Sequence, residues 1–291
     1  MYSTQKLSSY QIASVLRVSQ SFVMNKLKEY GIKRRTIQQG KALTAPRYKR
    51  KNFSDDPVQK AYFIGFRIGD LYVTQTHPAS PTIRISTNTT KEEQIKLVSR
   101  LFSPYGHVRC APSDKRGAQS IRCFVNTSFA FLLKKWDGIE DWILQNNEYF
   151  LAFFAGYTDA EGSFCICNGN GVFSIQSQEK NILRLIVLRL NKMGILCMPP
   201  TRARIKGSVD KRGIGNNKDV WRFTIYRKDA LLRLIALFKS RIRHHDRKNA
   251  MYKVESNIKM RNQKYHNKQD QRWYKNYSIH ERAFKMEPNQ T

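Results

Sequence analysis

Two carboxylates occupy matching places in this chain. In "AYFIGFRIGDLYV" (61–73) the small residues Ala61, Gly65 and Gly69 stand four apart, and Asp70 follows. In "AFFAGYTDAEGSF" (152–164) the small residues are Ala152, Gly156 and Ala160, and the acid is Glu161, each 91 residues further on. Two carboxylates brought close repel and raise each other's pKa unless a cation sits between them. A hard cation such as Mg2+ is held through one or two carboxylates, waters and substrate phosphate oxygens. It can activate water and stabilise both the attacking and the leaving oxygen of a phosphodiester. A duplicated acid therefore fits two scissile phosphates, one on each strand of a duplex.

Such chemistry needs elements that bring the acids together. Small residues every four positions let two helices approach along one ridge. Two such helices at equivalent places in a duplicated unit pack on each other across a pseudo-two-fold axis, and both acids emerge at the foot of the pair. The chain runs twice through one plan. The first copy gives the helix, strands "LYVTQ" and "TIRIST", helix "TKEEQIKLVSRLFSPYG", strand "IRCFVN" and helix "SFAFLLKKW". The second gives its helix, strands "SFCIC" and "VFSIQS", helix "EKNILRLIVLRLNKMG", strand "VWRFTIY" and helix "KDALLRLIALFKSRI", with a longer basic hairpin over 201–219.

The bulk composition points the same way. Fifty-two lysines and arginines against 22 acids leave a net charge of +30 over 291 residues, spread along the chain. A folded chain this cationic meets a polyanion, with nucleic acid the default. No apolar run is long enough for a membrane span, and the N-terminus lacks a secretory apolar core. Five cysteines and six histidines show no zinc spacing and read as reduced thiols and isolated imidazoles of an intracellular protein.

Ahead of the repeats, Ser8 with Gln11 forms a capping box for a first helix, whose buried side is Ile12, Ala13, Val15 and Leu16. "RVS" turns the chain and Ser19 caps a second helix carrying Val23 and Leu27. This resembles a helix-turn-helix, in which Gln20, Ser21, Asn25 and Lys26 would face DNA. Arg34 and Arg35 open a basic stretch suited to phosphates. The expected organisation is a helical module over 1–36, a basic linker over 37–56, two halves over 57–146 and 147–256, and a basic aromatic extension over 257–291.

With these residues in view, the chain resembles the LAGLIDADG homing endonucleases. "FAGYTDAEG" (154–162) is close to the nine-residue motif. "FIGFRIGDL" (63–71) departs from it at Arg67, at Ile68 where an acid is usual, and at Leu71 where the final glycine is usual. The resemblance implies an α+β fold: two pseudo-symmetric αββαββα modules whose strands form a DNA-binding saddle. It implies that Asp70 and Glu161 bind metal, aided by the carbonyls of Gly69 and Ala160. Gln178 is expected to position water, with Thr90 or Asn88 as its first-half equivalent. Lys135 and Lys248 are expected in the basic role, with Arg243 and His244 as rivals to Lys248. The saddle candidates for reading bases are Arg84, Ser86, Arg122, Gln176, Arg202, Arg204, Lys206, Arg222 and Thr224.

The function so implied is a monomeric, site-specific double-strand DNA endonuclease using Mg2+, with Mn2+ as a substitute. Two saddles of about a turn each imply a site of roughly 20 base pairs. The alternatives are a non-catalytic DNA-binding regulator on the same scaffold and an intron maturase that binds its own intron RNA.

Overall fold

The computed structural model describes residues 1–36, 39–40, 48–75, 77–78, 80–209, 213 and 215–265. The remainder of the expected linker and C-terminal extension lies outside the described residues. Two short helices, α1 (Ser9–Leu16) and α2 (Gln20–Glu29), come first. The first repeat holds α3 (Pro57–Asp70), β1 (Tyr72–Gln75), β2 (Thr82–Thr89), α4 (Glu92–Phe102), β3 (His107–Cys110) and β4 (Gln119–Asn126). A 3₁₀ turn, Thr127–Leu132, then stands where a regular helix was expected over 128–136. A short α5 (Asp141–Gln145) leads into the second repeat. That repeat holds α6 (Asn147–Glu161), β5 (Gly162–Cys167), β6 (Asn170–Ser177), α7 (Lys180–Lys192), β7 (Thr201–Arg204), β8 (Val220–Ile225) and α8 (Lys228–Phe238). A long helix, α9 (His245–Tyr265), closes the described chain.

Each repeat forms an antiparallel four-stranded sheet with the same order, β1-β2-β4-β3 and β5-β6-β8-β7. In β2 and β4 the buried residues Ile83, Ile85, Ile121, Cys123 and Val125 alternate with less buried ones that are polar except for Phe124. In β6 and β8 the buried residues Phe173, Ile175, Phe223 and Ile225 do the same. Period-two alternation gives each sheet one core face and one polar face.

The paired helices join the halves. Asp56 caps α3 through Val58 N–H at 3.0 Å, with Pro57 at the first helical position. Asn146 caps α6 through Glu148 N–H at 2.8 Å and Tyr149 N–H at 3.1 Å. Every residue of α6 from Phe150 to Ala160 is buried, because α3 covers one side and the second sheet and α8 the other. A Cβ placed on Gly65 would lie 2.0 Å from the Phe153 carbonyl oxygen, and one on Gly156 would lie 2.1 Å from that of Tyr62. The two glycines are what let the backbones touch.

Three further sequence expectations are corrected. Val15 and Leu16 are 61% and 52% exposed, since Ile12 and Ala13 alone turn toward Val23 and Leu27 in that small cluster. The end of the expected linker belongs to the first half: Phe53 is buried against Phe63, Phe129 and Phe131, and its N–H bonds Ser128 Oγ at 2.8 Å. Tyr48 stacks on His107 at 3.8 Å, and Arg50 donates to Thr82 Oγ1 at 2.6 Å. Finally, α9 runs straight through the expected boundary at 256, because Met251, Val254 and Ile258 bury one stripe of it in the main core.

Candidate active site

The last turns of α3 and α6 bring their acids together. A Cβ on Gly69 would fall 2.3 Å from Ala160 Cβ and 2.9 Å from Glu161 Cγ, so no side chain separates the two helix ends. Both acids are partly buried. Burial pushes Asp70 up to about 6, against the pull of Arg247, Lys91, a hydrogen bond from Gln94 and Lys135. Burial, with the Asp70 charge adding to it, pushes Glu161 up to about 7. Helix C-termini also carry the negative end of the macrodipole. Two carboxylates and two helix C-termini thus meet at the foot of the pair, an arrangement suited to a cation.

The residues around the acids are not symmetric. Gln94, on α4, donates to Asp70 Oδ2 at 2.5 Å. On the other side Glu179 faces Glu161, raising its pKa, and pairs with Lys135 at 3.3 Å. Arg247, on α9, donates from Nε to the Asp159 carbonyl at 2.8 Å and from its terminal nitrogen to the Ala160 carbonyl. Asp159 itself is wholly buried. It accepts from Tyr62 Oη at 2.6 Å, Arg243 N–H at 2.8 Å and His244 N–H at 3.2 Å.

The chain matches no protein-family model and no curated protein. Among solved structures, it is similar to homing endonucleases. I-DmoI in complex with DNA and Ca is 19% identical over 63% of this chain and 90% of that chain, with a TM-score of 0.44. The LAGLIDADG meganuclease I-AabMI bound to uncleaved DNA is 11% identical over 72% and 93%, at 0.46. The homing endonuclease I-WcaI bound to its DNA recognition sequence is 16% identical over 70% and 88%, at 0.44.

The departures in the first motif have physical counterparts. Arg67 is buried and donates to the Leu132 carbonyl at 3.0 Å and to that of Leu71. It ties α3 to its own half, as Asp159 ties α6 to residues 243–244, so Ile68 can be apolar. Leu71 caps α3 with φ −104° and ψ 136°, extended backbone that needs no glycine. Gly162 caps α6 in the same region, but there a Cβ would meet Thr158 Cγ2 at 2.6 Å.

The expected basic and water-positioning residues fall unevenly. Lys135 acts on both acids, while Lys248 lines a separate cavity with Gln59, Arg100, Tyr105 and Ser240. One residue is about 100° of helix, and it is Arg247 that turns toward the acids. Of the rivals, Arg243 stacks over the Tyr62 ring at 4.0 Å. His244 is buried, which holds its pKa down to about 4. Gln178 is exposed just beyond β6. Gln94 and Arg247 escaped the sequence reading, although each had a signal. Gln94 shares the stripe of Leu97, Val98 and Leu101, and Arg247 that of Met251, Val254 and Ile258. A polar residue on an apolar stripe marks a buried polar contact.

The strand residues lie mostly on the polar faces. Ser86 stands opposite Arg122, and Arg122 opposite Arg109; Arg84 follows in the same phase. Gln176 stands opposite Arg222, and Ser174 opposite Thr224. Arg204, after a register shift, pairs with Val220 in that same phase. Arg202 does not belong there. It pairs with Trp221, in phase with core residues Phe223 and Ile225, and its guanidinium meets Asp219 at 3.4 Å. Lys206 is exposed in the turn after β7, its N–H bonded to Asp219. A cavity of about 510 Å3 lined by Asp70, Arg84, Ser86, Asn88 and Arg122 joins the first acid to the first polar face.

On the N-terminal helices Ser21 and Asn25 are exposed, Gln20 donates to Ser9 Oγ at 3.0 Å, and Lys26 pairs with Glu29 at 2.8 Å. Arg34 is exposed. Arg35 is not available to phosphates: it lies 4.0 Å over the Tyr2 ring and donates to the Tyr2, Lys6 and Leu7 carbonyls.

The acids also set a pH dependence. Their folded pKa values lie above the ordinary values of 3.8 and 4.5, so the folded state keeps protons that the unfolded state releases. Stability then falls as pH rises from about 4 through about 7. His244, depressed from 6.5, works in the opposite direction over about 4 to 6.5. The difference in melting temperature, wild type minus the Asp70→Asn/Glu161→Gln double variant, isolates the acids. In EDTA it should fall between pH 4 and 7; a flat difference would mean that the acids are not crowded.

Proposed function

We propose that the protein is a site-specific, divalent-metal-dependent endonuclease that cuts both strands of double-stranded DNA. The observation that carries this reading is the juxtaposition of Asp70 and Glu161 at the foot of the paired helices, with the polar face of the first sheet opening onto Asp70. Two partly buried carboxylates with raised pKa values, at the negative ends of two helices, fit a dication better than any other partner. Among the described residues no cluster of three or more His, Cys, Asp or Glu could hold a metal, so the fit rests on this pair with substrate phosphate and water. A bound Mg2+ or Mn2+ would supply positive charge at the scissile phosphate and a more acidic water.

The chain's own residues have separate tasks in this reading. Asp70 and Glu161 hold the cation, and Gln94 fixes the orientation of Asp70. Lys135 offers positive charge to the reacting phosphate while paired with Glu179. Arg84, Ser86, Arg122, Gln176, Arg204, Arg222 and Thr224 face the duplex, and Arg or Gln at such positions reads guanine or adenine edges in the major groove. Homing endonuclease activity on a long asymmetric site is the finer form of the proposal, and a protein with one half per half-site acts as a monomer. The test is to digest a complex genomic DNA with the protein and Mg2+, then sequence the new ends. Ends clustered at one or few related sites, and absent in EDTA, are expected. Tight selection of a DNA sequence without any cutting in Mg2+ or Mn2+ would favour a regulator.

The N-terminal helices join this reading as a second DNA contact, through Ser21, Asn25 and Arg34. A chain beginning at Tyr48 keeps the packing of Phe53 and should fold and cut. It should bind the site more weakly and with a shallower salt dependence, since each lost phosphate contact lowers the slope by about one. Filter binding between 50 and 300 mM salt, values set by the ~10 Å Debye length near 0.1 M, measures this. Identical slopes for the two chains would show that residues 1–47 do not touch DNA.

A further inference from the structure

The foot of the paired helices already contains a cation. Arg247 reaches from α9 to the last carbonyls of α6, those of Asp159 and Ala160, and its charge acts on Asp70, Asp159 and Glu161 together. Carbonyls in the last turn of a helix have no partner within it. The helix cap returns only to Thr158, through Gly162 N–H, which leaves those of Asp159 and Ala160 for Arg247. The forked guanidinium satisfies both at once, as a lysine cannot. It is also strongly placed: Arg247 begins the stripe that Met251, Val254 and Ile258 bury.

The arrangement is one-sided. Arg247 grips the carbonyl next to Glu161, whereas Asp70 is held by a neutral amide, Gln94, and opens on the cavity lined by Arg84 and Arg122. Resting on the proposed metal-dependent reading, we infer that Arg247 is a built-in counter-ion that competes with the divalent metal for the Ala160 carbonyl and the acid pair, and so sets the metal affinity of the free protein. It holds two mutually repelling acids together before DNA arrives. Phosphate oxygens bring further negative charge, shifting the balance toward a dication that binds both acids. Arg247 is thus a positioning residue that couples metal loading to DNA binding, its hydrogen bonds lying on the Glu161 side and its charge acting most on Asp70.

The test measures metal binding rather than cutting. Mn2+ affinity is measured by calorimetry on the free protein and on its DNA complex, for wild type, Arg247→Lys and Arg247→Met. Arg247→Lys keeps the charge but loses the fork to the two carbonyls. It should bind Mn2+ severalfold more tightly than wild type in the absence of DNA, and Arg247→Met about tenfold or more. The gain should shrink in the DNA complex. Arg247→Lys indistinguishable from wild type would overturn the proposal, because a gain confined to Arg247→Met reflects charge alone.

If neither variant folds, the wild type still decides. Protein labelled with 15N-arginine should show a protected Nε–H signal for Arg247 in EDTA, and that signal should shift or exchange faster at saturating Ca2+. An unmoved signal would overturn the proposal. The underlying reading is checked apart from it by Asp70→Asn and Glu161→Gln. If wild type in complex with DNA binds no more Mn2+ than these two variants, the metal site and this inference fall together. If wild type binds metal and they do not, an unchanged Arg247→Lys sinks the inference alone.

Discussion

Asp70→Asn and Glu161→Gln should each cost the protein its double-strand cutting while sparing its hold on DNA. Both substitutions keep the shape and remove the charge that holds a cation. Even the loss of a residue that only supports a metal ligand commonly lowers activity about 10–100-fold, so loss of a ligand should exceed ~100-fold. DNA binding rests on the polar faces of the sheets and on the +30 net charge, and should persist or strengthen as an acid near phosphate is neutralised. The two half-sites differ in Gln94, Glu179 and Arg247. If they act independently, each variant becomes a nickase for one strand. If they share a metal, both strands are spared in either variant. Supercoiled plasmid carrying the site, scored for nicked and linear products beside a gel shift on the same DNA, separates these outcomes. Full linearisation by both variants would remove Asp70 and Glu161 from the reaction.

Gly65→Leu and Gly156→Leu should be the most damaging substitutions away from the acids. A Cβ alone at these positions comes within 2.0 and 2.1 Å of a facing backbone oxygen. Backbone cannot rotate aside as a side chain does, so the helices must separate. Overpacking a core ordinarily costs about 1–3 kcal/mol, and here the cost should exceed that range. Gly65→Ala and Gly156→Ala should already lower the melting temperature by several degrees. Cutting should decline further than stability, since parting the helices also moves Asp70 and Glu161 apart. A leucine variant with unchanged melting and full cutting would mean that the contact between α3 and α6 is not as tight as described.

Much of this was legible in the sequence, for identifiable reasons. Period-four small residues announced the helix pair, and alternation in "TIRIST" and "VFSIQS" announced the sheets and their polar faces. Capping signals at Ser8 and Ser19 held because they depend on neighbours only three residues away. What could not be read depended on distant partners. Phe53 sits in a basic stretch whose composition resembles a linker, yet it enters the aromatic cluster of Phe63 and Phe129. Arg202 and Arg204 are two residues apart and look equivalent, but the register shift between them places them on opposite faces. Lys248 and Arg247 differ by one residue, and helix phase alone decides which meets the acids.

The single apolar core that runs through both repeats has a consequence for ancestry and exchange. A duplicated gene first makes two identical halves, free to trade partners. Here the two glycine contacts remain equivalent, Gly65 admitting the Phe153 carbonyl and Gly156 that of Tyr62, but the reach of Tyr62 across to the Asp159 carboxylate has no counterpart, the matching residues being Phe153 and Ile68. A half transplanted from another such chain would arrive with its own set of knobs and recesses. New specificities are therefore easier to acquire by altering the outward faces of the strands than by exchanging whole repeats, and any hybrid must carry both facing helices as one inherited unit.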